Sequence, residues 1–127
     1  MNTNKATTNT QVQKRRRHHQ RGAMAEWIAA AYLTVKGYRI LARRWSSREG
    51  EIDLIAARGN FLVFVEVKQR ETQEAAEASV SSRQRNRIRG AAQLWRSHHP
   101  KYHNHEVRFD LVFIVNGHWP HHIENGL

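Results

Sequence analysis

Two apolar runs, Gly50 to Ala57 and Phe61 to Lys68, are separated only by Arg58-Gly59-Asn60, and that arrangement admits few folds. Gly and Asn in so short a connection form turns, and runs rich in Ile, Leu, Val and Phe read as strands. The segment therefore predicts a β-hairpin. Alternation places Glu51, Asp53 and Ile55 on one side of the first strand. On the second, Leu62, Phe64, Glu66 and Lys68 share a side, while Val67 faces the opposite packing layer. If the hairpin pairs Asp53 beside Glu66, two carboxylates converge on one point with the Lys68 ammonium next to them.

The remaining periodicities surround this hairpin with an α/β arrangement. Gly22 to Lys36 predicts a helix: Met24, Trp27, Ile28, Ala31 and Val35 fall on one face, and Gly37 ends it. The other side, with Ala23, Ala30 and Leu33, is not an ordinary solvent-facing surface either. Glu26 is the only charged residue between Gly22 and Val35. A lone carboxylate on such a helix is costly to bury unless something binds it. Tyr38 to Trp45 predicts a strand before the hairpin. Ser79 to Ser97 predicts a second long helix, with Val80, Gln84, Ile88, Ala91, Ala92 and Trp95 on one stripe. Val107 to Val115 is a further apolar strand and Trp119 to Ile123 a short terminal one. The order α-β-β-β-α-β, extended by that last strand, predicts a mixed central sheet flanked by helices.

Hard oxygen ligands at the point where Asp53 and Glu66 meet suit Mg²⁺ or Mn²⁺, which keep several waters and bind phosphate oxygens. Such an ion lowers the pKa of bound water and neutralises charge developing on a scissile phosphodiester. Lys68 can orient the attacking water or stabilise the phosphate, and Glu26 can supply a third carboxylate. Glu-X-Lys by itself is also a common exposed salt-bridge pair, so an ion-pair face on the sheet is the competing reading.

The chain is 127 residues long with a formal net charge of +10, so one domain with one site is expected. Residues 1–21 carry six basic groups and no acid, and their polar composition predicts a disordered tail ahead of a domain over residues 22–127. Excess positive charge attracts polyanions through counterion release, which makes nucleic acid the leading partner and membrane a lesser one. A merely solubilising tail is the plainer reading. Arg83 and Arg87 share one face of the second helix, and Arg43 and Arg44 with Arg48 form another basic group. Both groups suit phosphate contacts that position a nucleic acid without reading its sequence, although exposed arginines are often only solvated. Nine histidines are irregularly spaced and read as scattered surface residues rather than a zinc site. There is no cysteine, hence no disulfide or thiolate chemistry. No apolar run is long enough to span a bilayer. Lys14 to Arg17 before Ala23 to Val35 superficially resembles a signal peptide, but Glu26 and Trp27 interrupt it, so a cytoplasmic location is expected.

Several motifs occur in order: Gly22-Ala23-Met24-Ala25-Glu26, Gly37-Tyr38-Arg39-Ile40-Leu41, Gly50-Glu51-Ile52-Asp53-Leu54-Ile55, Val63-Phe64-Val65-Glu66-Val67-Lys68 and Arg108-Phe109-Asp110-Leu111-Val112. Together they resemble the YraN family of bacterial proteins, itself similar to archaeal Holliday-junction resolvases within the PD-(D/E)XK nuclease superfamily. The resemblance covers about residues 22–115. It implies a restriction-endonuclease-like fold, Glu26, Asp53 and Glu66 as metal ligands, and Lys68 as catalytic lysine. Such relatives often carry a lysine near Gln84. A glutamine there can still donate to a phosphate or a metal-bound water, or be satisfied locally.

Two functions follow as expectations. One is a Mg²⁺- or Mn²⁺-dependent endonuclease acting on DNA in preference to RNA, branched DNA included. A resolvase of four-way junctions is expected to be a twofold homodimer. The other is a non-catalytic DNA- or RNA-binding module of the same fold. No base-reading element is recognisable.

Overall fold

A computed structural model describes residues 23–71 and 81–127. The tail predicted over residues 1–21, and Val80 on the predicted stripe, lie outside the described residues. Helix α1 covers residues 23–35. It is followed by β1 (Arg39–Ser47), β2 (Gly50–Arg58), β3 (Phe61–Arg70), α2 (Ser82–Ser97), a 3-10 turn (Pro100–Tyr102), β4 (Glu106–Val115) and β5 (His121–Ile123).

The strands form one sheet in the order β1-β2-β3-β4-β5. Pairing is antiparallel except between β3 and β4, which run parallel and are bridged by the segment containing α2. The hairpin closes at Arg58 and Phe61 as its turn predicts. Its strands are apolar on both faces because both faces are covered. Leu54, Ala56, Val63 and Val65 pack under α1 with Val112 and Ile114. Ile55, Ala57, Leu62 and Phe64 pack under Ile88, Ala91, Ala92 and Trp95 of α2. Fully buried Phe64 meets the Trp95 ring edge-on at 5.9 Å and stacks on Phe109 at 5.7 Å. Truncating such a side chain to alanine costs about 3–5 kcal/mol. The architecture is α/β, a mixed five-stranded sheet with a helix on each side, consistent with a restriction-endonuclease-like domain. Among the described residues no helix is long and apolar enough to cross a membrane.

Helix α1 ends as expected. Gly37 has φ of +95°, Tyr38 N–H donates to the Leu33 carbonyl and Gly37 N–H to that of Thr34, a Schellman closure. Its orientation is less expected. Ala25, Ala29, Ala30 and Leu33 face the sheet, and the stripe of larger residues turns outward. Met24 is 65 % exposed, Trp27 58 %, Ile28 42 % and Val35 87 %. Small side chains let the helix lie close on the sheet. Periodicity identifies an apolar stripe but not which of two apolar sides faces in.

The β1–β2 register shifts between Ile40 and Ala42, and alternation also breaks within β2. Ile52 and Ile55 enter the same core cluster. The break lies where β1 pairs Arg43 with Leu54 and Trp45 with Ile52, and Arg44 between them has φ of 51°. A non-glycine residue in that region is uncommon and costs of order 1–2 kcal/mol.

The last strand is tied in by a buried polar network. Asp110, fully buried, accepts from Arg108 Nε at 2.9 Å, His122 Nε2 at 2.6 Å and the Asn125 N–H at 2.8 Å. Lys36 Nζ donates to His122 Nδ1 at 2.6 Å, so the imidazole proton toward Asp110 sits on Nε2. Arg108 also donates to the Tyr38 hydroxyl.

Candidate metal centre

The pairing of β2 with β3 reaches Leu54 opposite Val65 and goes no further toward the Glu51 end. Beyond it the Asp53 side chain replaces the backbone ladder, its Oδ2 accepting the Val67 N–H at 2.8 Å. This fixes the carboxylate at the point where Glu66 leaves β3. The two acids are close enough to interact: the charge of Glu66 disfavours that of Asp53, while a hydrogen bond from Asp53 favours that of Glu66. Burial first, and then Glu66, pushes the Asp53 carboxyl up to about 8. Burial likewise raises Glu66, opposed by Lys68. Lys68 Nζ lies 3.4 Å from Glu66 Oε1, and both residues are buried. That burial is unlike a solvated ion-pair face.

Glu26 arrives from α1 and is 6 % exposed. Burial raises its carboxyl, and Arg44 Nε, 2.5 Å from Oε2, works the other way. Arg44, at positive φ within β1, sets its guanidinium against this acid. Ligand oxygens of Glu26, Glu51 and Asp53 all lie within 4.8 Å of one another. Glu51 was not among the expected ligands, although its position two residues before Asp53 is the signal that could have found it. Glu66 lies outside that triple and beside Asp53.

Gln84, at the start of α2, donates from Nε2 to Glu66 Oε1 at 3.0 Å. Ser81 holds this helix end by accepting the Gln84 N–H at 3.2 Å. Gln84 therefore orients a carboxylate of the centre, which its position on a helical stripe does not show. A cavity of about 240 Å³ is bounded by Glu51, Asp53, Glu66, Gln84, Arg87 and Ile88. Of the expected phosphate contacts, Arg87 lines this cavity, Arg83 is exposed on α2, and Arg44 is engaged with Glu26. Arg43 lies instead over the exposed Trp27 ring, 3.6 Å from its centroid. Among the described residues the histidines form no group of three ligands with one another or with the acids.

The donor set, three carboxylates with oxygens within mutual reach, is of the kind that a hard divalent cation takes. Glu26, Glu51 and Asp53 are placed to hold it, with Glu66 adjoining.

Residues 25–114 match the model of the uncharacterised protein family UPF0102. The chain is 49 % identical over 108 residues to a UPF0102 protein of Maricaulis maris, covering 85 % of each chain. It is 47 % identical over 111 residues to one of Mesorhizobium japonicum, covering 87 % of this chain and 89 % of the relative. A third, from Rhodopseudomonas palustris, is 50 % identical over 102 residues, 80 % of this chain and 76 % of the relative. With the motifs from Glu26 to Asp110 falling inside the matched span, the chain belongs to the UPF0102, or YraN, family of bacterial proteins.

Proposed function

We propose that the protein is a metal-dependent endonuclease that hydrolyses phosphodiester bonds of DNA, branched DNA included. The observation that carries this reading is half-buried Asp53 set against buried Glu66 and Lys68, at the lip of a cavity that Arg87 also lines. Closely set acids with an ammonium at their edge suit the binding of cations and phosphates.

When bound, Mg²⁺ or Mn²⁺ supplies Lewis-acid stabilisation of the phosphate and a more acidic water. Glu26, Glu51 and Asp53 would hold the ion. The Val67 N–H and the Gln84 amide fix one oxygen each of Asp53 and Glu66, so the acids need not reorganise during reaction. Lys68, held by Glu66, donates toward charge developing on the phosphate. Arg87 and Arg83 hold the flanking backbone without reading bases. On a four-way junction, two such sites related by a twofold axis require a homodimer.

Cleavage of labelled four-way junction, duplex and single-stranded DNA with Mg²⁺ or Mn²⁺ tests this, with Glu66→Ala and Lys68→Ala alongside. Metal-dependent cutting lost in both variants is expected. RNA of the same sequence is expected to be cut more slowly.

A specific contact favours a second reading. Arg44 already places a guanidinium on Glu26, part of the charge compensation that a metal ion would bring. On that reading the domain binds DNA or RNA without cutting it. Tight binding without cleavage, indifferent to both substitutions, would establish it.

A further inference from the structure

Glu26 and Arg44 are paired inside the acidic centre, and their chain neighbours Trp27 and Arg43 are paired outside it. The two pairs are thus formed by consecutive residues on both α1 and β1, and the outer one lines a surface groove. The groove, about 660 Å³, is lined by Trp27, Ala30, Ala31, Ile40, Ala42 and Arg43, among others. Arg43 stacks on the Trp27 ring, yet Trp27 keeps 58 % of its surface exposed. An exposed indole over an apolar floor with a guanidinium stacked on it offers a flat, cation-edged platform.

We infer that this groove receives an unpaired nucleotide next to the bond to be cut, its base stacked on the Trp27–Arg43 pair. The substrate class is then nucleic acid with a single-stranded segment, such as a flap, gap or splayed junction arm. The inference rests on reading the acidic centre as a nucleic-acid site. Three observations select this occupant. Nucleobases have apolar faces that stack on indole and guanidinium irrespective of sequence, which agrees with the absence of a base-reading element. The groove is edged by exposed Arg43, and exposed Arg39 precedes its lining residue Ile40 on β1; both attract phosphates. The same charges repel a second copy of β1 and the basic residues 1–21. An anionic bilayer is disfavoured because a concave groove gives a flat surface little contact.

The test uses the full chain in EDTA, so that no strand is cut. Fluorescence anisotropy measures binding of a labelled single strand, a duplex of that sequence, and the duplex bearing a single-stranded flap. Trp27→Ala is expected to weaken strand and flap binding by roughly 5- to 100-fold while changing duplex binding by less than about twofold. Trp27→Phe restores most of the loss. The strand also quenches wild-type tryptophan fluorescence, and that quenching is absent in Trp27→Phe. Equal losses on all three probes, or none, overturn the inference. So does a Trp27-dependent interaction with anionic vesicles, or self-association that Trp27→Ala abolishes. Failure of the nuclease reading looks different: no cleavage with any metal, while Trp27-dependent strand binding persists. Cleavage by a chain whose strand binding ignores Trp27 is the reverse case.

Discussion

At Asp53 a carboxylate is held where burial and the neighbouring Glu66 both oppose its charge, with the Val67 N–H acting the other way. Asparagine keeps an oxygen for that N–H and drops the charge. In chelator at pH 7, Asp53→Asn is therefore expected to melt at or above the wild-type temperature. With Mn²⁺ the order should reverse, because the wild type alone gains stability from the ion, about 2.7 kcal/mol at a hundredfold excess over Kd. Thermal melts with and without Mn²⁺ check this, and a wild type indifferent to Mn²⁺ counts against a cation centre. Asp110 is the opposite case. Burial would raise its carboxyl, but hydrogen bonds from His122 and Arg108 outweigh that and hold it below the ordinary 3.8. A depressed folded value stabilises the protein above the unfolded pKa and loses that contribution as pH falls through the folded one. Asp110→Asn is expected to cost about 3 kcal/mol at pH 7 by stranding Arg108, and the gap should narrow below about pH 4. Urea unfolding of both proteins at pH 7 and pH 3 measures it. Glu66, Val67 and Lys68 were legible in sequence because alternation is local. Gln84 on Glu66 was not, since it depends on how a helix 18 residues away is rotated.

Among the elements, the two helices were legible to different degrees. Ile88, Ala91, Ala92 and Trp95 pack where the α2 stripe predicts, because the opposite side carries Arg83, Arg85, Arg87 and Arg89 and only one side can be buried. For α1 both sides are apolar, and the choice between them is made by fit to the sheet, which periodicity does not encode. If the exposed arginines of α2 touch phosphates, Arg83→Ala and Arg87→Ala should each weaken duplex binding about equally for all sequences. Each should also reduce the slope of log affinity against log salt by about one. A slope unchanged in both variants would assign these arginines to solvent.

For the whole molecule, charge is distributed so that residues 1–21 hold six of the basic groups and no acid. Removing them is expected to lower nucleic-acid affinity and flatten its salt dependence, by as many as about six phosphate contacts. An unchanged slope after truncation would make the tail a bystander. The mixed sheet was legible as an order of elements. The network from Lys36 through His122 and Asp110 to Arg108 was not, because it joins residues from three distant segments with no shared spacing.

The one parallel pairing of the sheet carries a consequence in time. Strands β3 and β4 match Phe61 with Glu106 through Arg70 with Val115, partners always 45 residues apart. The β2–β3 hairpin closes across a two-residue turn. Hairpins form in about 1–10 μs, whereas pairings this distant in sequence must first overcome the entropy of a long loop. Asp53 and Glu66 therefore meet while α2, with Gln84, has still to dock. The acid pair is thus assembled before the amide that orients it, so Gln84→Ala is expected to speed unfolding more than it slows folding.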